Sequence, residues 1–328
     1  MYETRYHTED ISQYSFLVTG GAGFIGSNLV EYLLMHGAKK VKVLDNLSSG
    51  YYENIKPYID LPNFEFIEAD IRNPEVCKNT LTDIDYVSHQ AALGSVPRSI
   101  ADPITTNDVN ISGFLNMLQA VKDASSVKRM VYAASSSTYG DSDALPKIEG
   151  NEGSPLSPYA VTKLVNELYG EVFSKVYGLH AIGLRYFNVF GPNQNPNNPY
   201  AAVIPIFCKA SIEGKPILIN GDGTISRDFT FVENAVQANI KAMLLPEIKT
   251  HQVFNMACGE QTSLNEIVKI LTELSGKKIK TIHGPERPGD IKHSKADISK
   301  IKLCLGYEPK IKFQEGLSIV YEWYQNKI

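Results

Sequence analysis

Thr19-Gly20-Gly21-Ala22-Gly23-Phe24-Ile25-Gly26 is the stretch on which the fold turns. Ahead of it, Ser15 to Thr19 reads as a short β-strand. Behind it, Ile25 to Met35 carries Ile25, Leu29, Val30, Leu33 and Leu34 on one helical face, and Gly37 closes that helix. Glycines at 20, 23 and 26 between a strand and a helix let the backbone turn tightly and approach a pyrophosphate. The helix N-terminus supplies N–H donors and a positive dipole to the same anion. The next strand, Lys40 to Leu44, runs into Asp45, 19 residues after Gly26 (45 − 26), where a carboxylate would meet a ribose hydroxyl. A carboxylate there repels a 2′-phosphate, and Asn46 to Asn54 contains no Arg or Lys to accommodate one. The residues therefore predict a dinucleotide site, and NAD rather than NADP.

Working outward, Phe64 to Glu68, Tyr86 to His89, Arg129 to Ala133 and His180 to Tyr186 read as further strands, separated by helical patterns such as Ile111 to Lys122. Strands alternating with helices imply a parallel sheet covered on both faces. The expected architecture is α/β: a doubly wound, Rossmann-type domain over residues 1–188, with a smaller α/β substrate-binding domain over residues 189–328. Residues 228–256 are expected to return to the first domain. Past Asn188 the texture changes. Asn193 to Tyr200 is a loop rich in Pro and Asn, Gly221-Asp222-Gly223 marks a tight turn, Leu264 to Leu274 is an amphipathic helix, and Pro285 to Asp290 is a loop.

A chain of 328 residues with 43% hydrophobic and 21% charged residues has the composition of a globular protein with a sizeable core. Its net charge of −4 speaks against nucleic acid or an anionic membrane as partner. Apolar runs such as Tyr200 to Phe207 are too short to span a bilayer, and Met1 to Tyr14 is polar and mixed in charge, unlike a secretory signal. Cys77, Cys208, Cys258 and Cys304 show no CxxC spacing and read as reduced core thiols, the usage of a cytoplasmic protein. The seven histidines form no HxxxH or HExxH pattern, so no metal is expected.

Ser157-Pro158-Tyr159-Ala160-Val161-Thr162-Lys163 carries the chemistry. Ser157 can cap a helix that Pro158 opens, and a spacing of four sets the Tyr159 phenol and the Lys163 ammonium one turn apart on one face. A positive charge at ~5 Å, with an effective dielectric of ~20, favours phenolate by roughly 3 kcal/mol, which is over two pKa units. The helix N-terminus and the positive charge of a bound nicotinamide push the same way, so Tyr159 is expected to approach the pKa of a general base near neutral pH. Ser135-Ser136-Ser137-Thr138-Tyr139-Gly140 follows the Arg129 to Ala133 strand, and the carboxyl end of such a strand is where an α/β sheet meets its ligands.

Together these segments resemble the extended short-chain dehydrogenase/reductase family, and within it the nucleotide-sugar epimerases. The resemblance rests on the glycine loop at 19–26, Asp45-Asn46, Asp70-Ile71, His89-Gln90-Ala91-Ala92, Asn110, residues 135–140, Tyr159 with Lys163, Arg185-Tyr186-Phe187-Asn188, and Arg287-Pro288-Gly289-Asp290. It implies catalytic roles for Ser135, Tyr159 and Lys163. Tyr159 would be the base, Ser135 the partner of the reacting sugar hydroxyl, and Lys163 the residue that holds the ribose and lowers the phenol's pKa. It implies NAD contacts at Gly20, Gly23, Phe24, Ile25, Gly26, Asp45, Asn46, Asp70, Ile71, Ala91, Ala92, Asn110, Tyr159, Lys163 and Tyr186. For a UDP-sugar it implies Gly94, Ser95, Ser135, Ser136, Ser137, Asn188, Val203, Asn220, Arg227, Arg287, Asp290 and Ser294.

Dehydratases that resemble this chain need a carboxylate pair directly after the catalytic Ser/Thr, and family decarboxylases commonly carry a glutamate at the second of those positions. Here they are Ser136 and Ser137. The resemblance thus implies 4-epimerisation through a 4-keto sugar, with a dehydratase or decarboxylase as the second enzymatic reading and a non-catalytic NAD-binding sensor as a third. Where glucose/galactose-only epimerases carry a bulky tyrosine, this chain has Ser294, which leaves room for an N-acetyl group. The Ala92 to Ser99 segment and the residues before Ser15 also resemble bacterial UDP-N-acetylglucosamine 4-epimerases. The expectation is interconversion of UDP-GlcNAc and UDP-GalNAc, with UDP-glucose or UDP-glucuronate as alternative substrates. Family analogy also implies a homodimer built on the Ile111 to Lys122 and Leu164 to Tyr177 helices.

Overall fold

Every residue of Ser15–Thr19 is buried, so this strand (β1) is covered on both faces instead of alternating between core and solvent. The computed structural model describes residues 1–197, 201–245, 250–286 and 292–327. Six parallel strands come from the first part of the chain: β1, β2 (Lys40–Asp45), β3 (Phe64–Glu68), β4 (Tyr86–His89), β5 (Arg129–Ser135) and β6 (Ala181–Tyr186). A seventh, Gln252–Met256, arrives much later in sequence and lies parallel to β6 at the sheet edge, with Phe254 opposite Leu184. The order across the sheet is Gln252–Met256, β6, β5, β4, β1, β2, β3. From β1 the chain first builds outward through β2 and β3, then returns to add β4 on the other side. That reversal opens a crevice at the carboxyl ends of β1 and β4, where doubly wound sheets bind ligands.

Two cores flank the sheet. One packs Leu29, Val30 and Leu33 of helix α1 (Phe24–Met35) and Val236, Ile240 and Met243 of the Val232–Leu244 helix against Phe16, Val18 and Val43. The other packs Phe114, Met117, Leu118 and Val121 of the Gly113–Asp123 helix against Leu17, Val87 and Met130. A third core, with Phe190, Phe207, Phe231, Ile267, Phe313 and Leu317, sits in a smaller lobe. This lobe contains short strand pairs, Ile217–Asn220 with Thr281–Gly284 and Ser226–Arg227 with Thr262–Ser263. Its amphipathic helix, Leu264–Ser275, starts on a reciprocal cap between Ser263 and Glu266.

Several boundaries differ from the sequence reading. β5 continues two residues past Ala133 to Ser135, because the ladder with β6 runs on to Ser135 opposite Tyr186. The helix expected from Ile111 begins at Gly113, after a π-helical turn over Asp108–Ser112. Cys77, Cys208 and Cys258 are buried, but Cys304 is exposed near the end of a short helix and is no core thiol. The first residues pack onto the frame: Tyr6 stacks on Tyr32 of α1 at 5.7 Å and its hydroxyl donates to Glu233 at 2.8 Å. Among the described residues, no helix is long and apolar enough to cross a membrane.

Candidate active site

The crevice is a cavity of about 1010 Å³ that runs from the glycine loop to Arg227 and Ser294. At its nucleotide end the glycines are dictated by space. Gly20 has φ +68°, and a Cβ there would lie 2.6 Å from the Ala91 nitrogen; a Cβ on Gly26 would lie 2.1 Å from the Gly20 carbonyl oxygen. Gly23 caps α1 without a side chain, so no side-chain oxygen engages the leading amides of that helix. Phe24 and Ile25 line the same wall. Asp45 lines it too, and its carboxylate accepts hydrogen bonds from Ala22 N at 3.0 Å and Leu47 N at 2.9 Å. Burial raises its pKa while these backbone donors oppose the shift.

Asn46 donates to Asp70 at 2.8 Å, and Arg72 also grips Asp70, holding its carboxyl at about 2. Ile71, Ala91 and Ala92 complete this end, with Ala91 N donating to the Thr19 hydroxyl at 3.3 Å. Asn110 departs from expectation. It lies outside the cavity wall, buried, and ties Leu93 N (2.8 Å) to Thr162 (3.1 Å), so it holds a wall residue in place instead of lining the wall itself.

The reacting group sits where β5 ends beside the Pro158–Tyr177 helix, capped by the Ser157 hydroxyl on Ala160 N at 3.1 Å. Ser135, Tyr159 and Lys163 all line the cavity. Ser135 Oγ accepts from Ser137 N at 3.1 Å and Ser137 Oγ at 2.9 Å. Lys163 donates to the Ala133 carbonyl at 2.7 Å. Burial pushes Lys163 down to about 8. Burial also raises the Tyr159 phenol above its ordinary value, opposed by its interaction with Ser135. In the chain by itself, the desolvation cost of phenolate outweighs what the protein's own groups return. Tyr186 lies alongside, its hydroxyl donating to Gln90 at 3.0 Å and accepting from Asn239 at 2.8 Å.

At the far end, Gly94, Ser95, Ser136, Ser137, Asn188, Arg227 and Ser294 line the cavity. Asn188 donates to the Asp228 carbonyl at 3.1 Å, and Arg227 to the Ser226 carbonyl at 3.0 Å. The buried Asp228 carboxylate collects Cys258 N, Gly259 N and Ala296 N at 3.0–3.2 Å, which braces this end of the pocket. Val203, at the start of a helix, and Asn220, at the end of a strand, do not line the cavity. Arg287 and Asp290 lie outside the described residues. The sequence reading missed Arg98, Tyr139 and Lys147, which share the wall. Arg98 falls within the Ala92 to Ser99 segment already singled out, and Tyr139 within the serine run; no motif pointed to Lys147. Among the described residues that line the cavity, the only carboxylates are Asp45 and Asp70, both at the nucleotide end.

Known proteins share this arrangement of chain. The sequence model of the GDP-mannose 4,6 dehydratase family matches residues 17–320. The UDP-glucose 4-epimerase of Mycolicibacterium smegmatis is 35% identical over 314 residues, covering 95% of this chain and 98% of that protein. The solved UDP-N-acetylglucosamine 4-epimerase from Methanobrevibacter ruminantium M1, in complex with UDP-N-acetylmuramic acid, matches with a TM-score of 0.90 and 39% identity over 96% of this chain and 99% of that one. The UDP-glucuronic acid 4-epimerase from Bacillus cereus, in complex with UDP-glucuronic acid and NAD, matches with a TM-score of 0.89 and 32% identity over 96% of this chain and all of that one (100%).

Proposed function

The chain belongs to the GDP-mannose 4,6-dehydratase family of extended short-chain dehydrogenase/reductases, and from that premise we propose that it is an NAD-dependent UDP-sugar 4-epimerase that interconverts UDP-GlcNAc and UDP-GalNAc. The observation that carries the choice of reaction is the cavity wall around Ser135, Tyr159 and Lys163, where Ser136 and Ser137 stand and no described carboxylate does. Expelling the C6 hydroxyl calls for an acid–base carboxylate pair there, and family decarboxylases commonly carry a glutamate at the second position. Epimerisation needs only one proton acceptor and a way to turn the sugar over.

NAD fits the nucleotide end, where Gly20, Gly23, Gly26 and Asp45 line the cavity and the surrounding backbone leaves no room for a Cβ at Gly20 or Gly26. Gly23 to Gly26 would hold the pyrophosphate, Asp45 a ribose, and Ile71 with Asp70 the adenine side. When bound, NAD supplies the acceptor, and later the donor, of the C4 hydride. Tyr159 takes the proton of the C4 hydroxyl, and Ser135 orients that oxygen. Lys163, buried and fixed on Ala133, holds the positive charge beside the phenol. Because burial raises the phenol's pKa, its activation would draw on positive charge beside it, supplied by Lys163 and by the nicotinamide ring when NAD is bound. Arg227, together with Arg287, would grip the diphosphate while the 4-keto sugar turns, since a guanidinium fork suits phosphate oxygens. Tyr159 then returns the proton after reduction from the opposite face.

Ser294 supports the N-acetylated substrate. It is buried in the cavity wall, where a small side chain leaves space for a substituent at C2. A homodimer is supported by the Pro158–Tyr177 helix, on which Val161, Leu168, Val172 and Val176 are 47%, 53%, 51% and 64% exposed, an apolar stripe suited to a second copy. Incubation with UDP-GlcNAc, UDP-glucose and UDP-glucuronate side by side, with products read by NMR, tests the reading. UDP-GalNAc from UDP-GlcNAc is expected. A 6-deoxy-4-keto product would overturn the reaction, and conversion of UDP-glucose or UDP-glucuronate alone would overturn the substrate.

A further inference from the structure

The segment that carries Ser294 is strapped to the loop that carries Lys147. Lys147 N donates to the Lys295 carbonyl at 2.7 Å, Asp297 N returns a bond to the Lys147 carbonyl at 2.9 Å, and the two chains run parallel at Ala296. Asn255, which holds the Tyr139 hydroxyl at 2.7 Å, also donates to the Lys147 carbonyl at 3.0 Å. Lys147 is therefore set beside both Tyr139 and Ser294, and all three line the cavity. Its side chain is buried at 3% exposure.

An ammonium has three donors. Among the described residues, that of Lys147 has one hydrogen-bond acceptor, the Ser142 carbonyl. Asp143 on the same loop favours its charge. Keeping a buried cation so sparsely satisfied is costly unless an acceptor arrives from elsewhere. Lys147 shares the cavity wall, so a ligand in the cavity is positioned to supply one.

We propose that Lys147 is a specificity-determining residue that donates a hydrogen bond to the acetamido carbonyl oxygen of the sugar, and so reads the N-acetyl group that the small Ser294 only admits. This rests on the substrate reading above and adds a positive contact to it. The contact has a chemical logic. An unacetylated sugar offers a hydroxyl at C2, which is shorter than an amide carbonyl and a weaker acceptor, so the ammonium discriminates by loss of its partner.

The test measures binding directly. Equilibrium dialysis of UDP-GlcNAc, UDP-glucose and UDP against the NAD-loaded full-length protein is compared with Lys147→Met and Lys147→Arg. Lys147→Met should weaken UDP-GlcNAc by about tenfold or more, the scale of a hydrogen bond to a charged group, while UDP-glucose and UDP change by less than about twofold. Lys147→Arg, which keeps the charge, should recover part of the preference. Equal weakening of all three ligands would make Lys147 a diphosphate or structural residue and overturn the proposal, as would unchanged UDP-GlcNAc binding. If Lys147→Met fails to fold, Lys147→Arg against Lys147→Gln reads the same ratio. A Lys147-dependent preference for UDP-GlcNAc without its conversion would sink the epimerase reading and leave this one standing. A wild-type protein with no preference for UDP-GlcNAc over UDP-glucose would sink this one.

Discussion

Lys163 passes beside Tyr159 to reach the Ala133 carbonyl at 2.7 Å, which leaves its ammonium 5.9 Å from the centre of the tyrosine ring. The base and its neighbouring charge are thus locked to β5, the strand that ends in Ser135. One strand end and one helix turn position the three side chains proposed as catalytic.

Tyr159→Phe removes only the phenolic oxygen. Turnover should fall by roughly 10²–10⁴-fold, the usual contribution of a positioned proton acceptor. UDP-sugar affinity should stay close to wild type. Retention of near-normal turnover would remove Tyr159 from the role. Titrating the phenol by ultraviolet difference absorbance, with Tyr159→Phe as the blank, should place its pKa lower in NAD-loaded protein than in protein stripped of NAD.

Lys163 supplies a stability test with a definite sign. Burial lowers its pKa in the folded chain to about 8 from the ordinary lysine value of about 10.5. Between these values the unfolded chain binds more protons than the folded one, so stability rises with pH across that window. Below about 8 the full penalty is present, on the order of 3 kcal/mol. Lys163→Met should therefore melt above wild type at neutral pH, lose the rise between pH 8 and 10, and lose most turnover. A variant that melts lower at neutral pH would contradict the desolvation argument. Thermal melts at matched NAD occupancy decide it.

Ser294→Tyr should fill the space assigned to the acetamido group. The ratio of kcat/KM for UDP-GlcNAc to that for UDP-glucose should drop by at least about tenfold, since overpacking a formed pocket costs roughly 1–3 kcal/mol. Equal loss on both substrates would mean that the pocket was damaged, not narrowed.

Val172→Asp places a charge in the centre of the exposed stripe on the Pro158–Tyr177 helix. Sedimentation velocity should report a dimer for the wild type and a monomer for the variant, with unchanged far-UV circular dichroism. A wild type that sediments as a monomer would leave the stripe without its proposed partner.

Much of this was legible because geometry leaves a single residue type little choice. At Gly20 and Gly26 only a missing Cβ fits, and Ser157-Pro158 starts a helix by its own backbone chemistry, so both features survive translation into sequence. Asn110 was read as a cofactor contact because its segment matches that pattern. Its position directly behind the wall residue Leu93 depends on packing that no local pattern encodes. Lys147 reaches the cavity only because a segment some 150 residues later pairs with it. Burial of the Tyr159 phenol is hidden for a related reason: charge spacing along a helix can be counted in sequence, but the depth of burial that opposes it cannot.

The seventh strand, Gln252–Met256, has a consequence for how the chain is made. On the ribosome, β6 emerges with one side of its backbone unpaired and waits for about 65 more residues before its edge partner arrives. During that interval the nascent nucleotide half presents an open sheet edge, and release of a truncated chain would leave the edge exposed for good. Premature termination between residues 187 and 251 should therefore yield aggregation-prone fragments instead of an autonomous NAD-binding half, so the two lobes are completed by one another during synthesis.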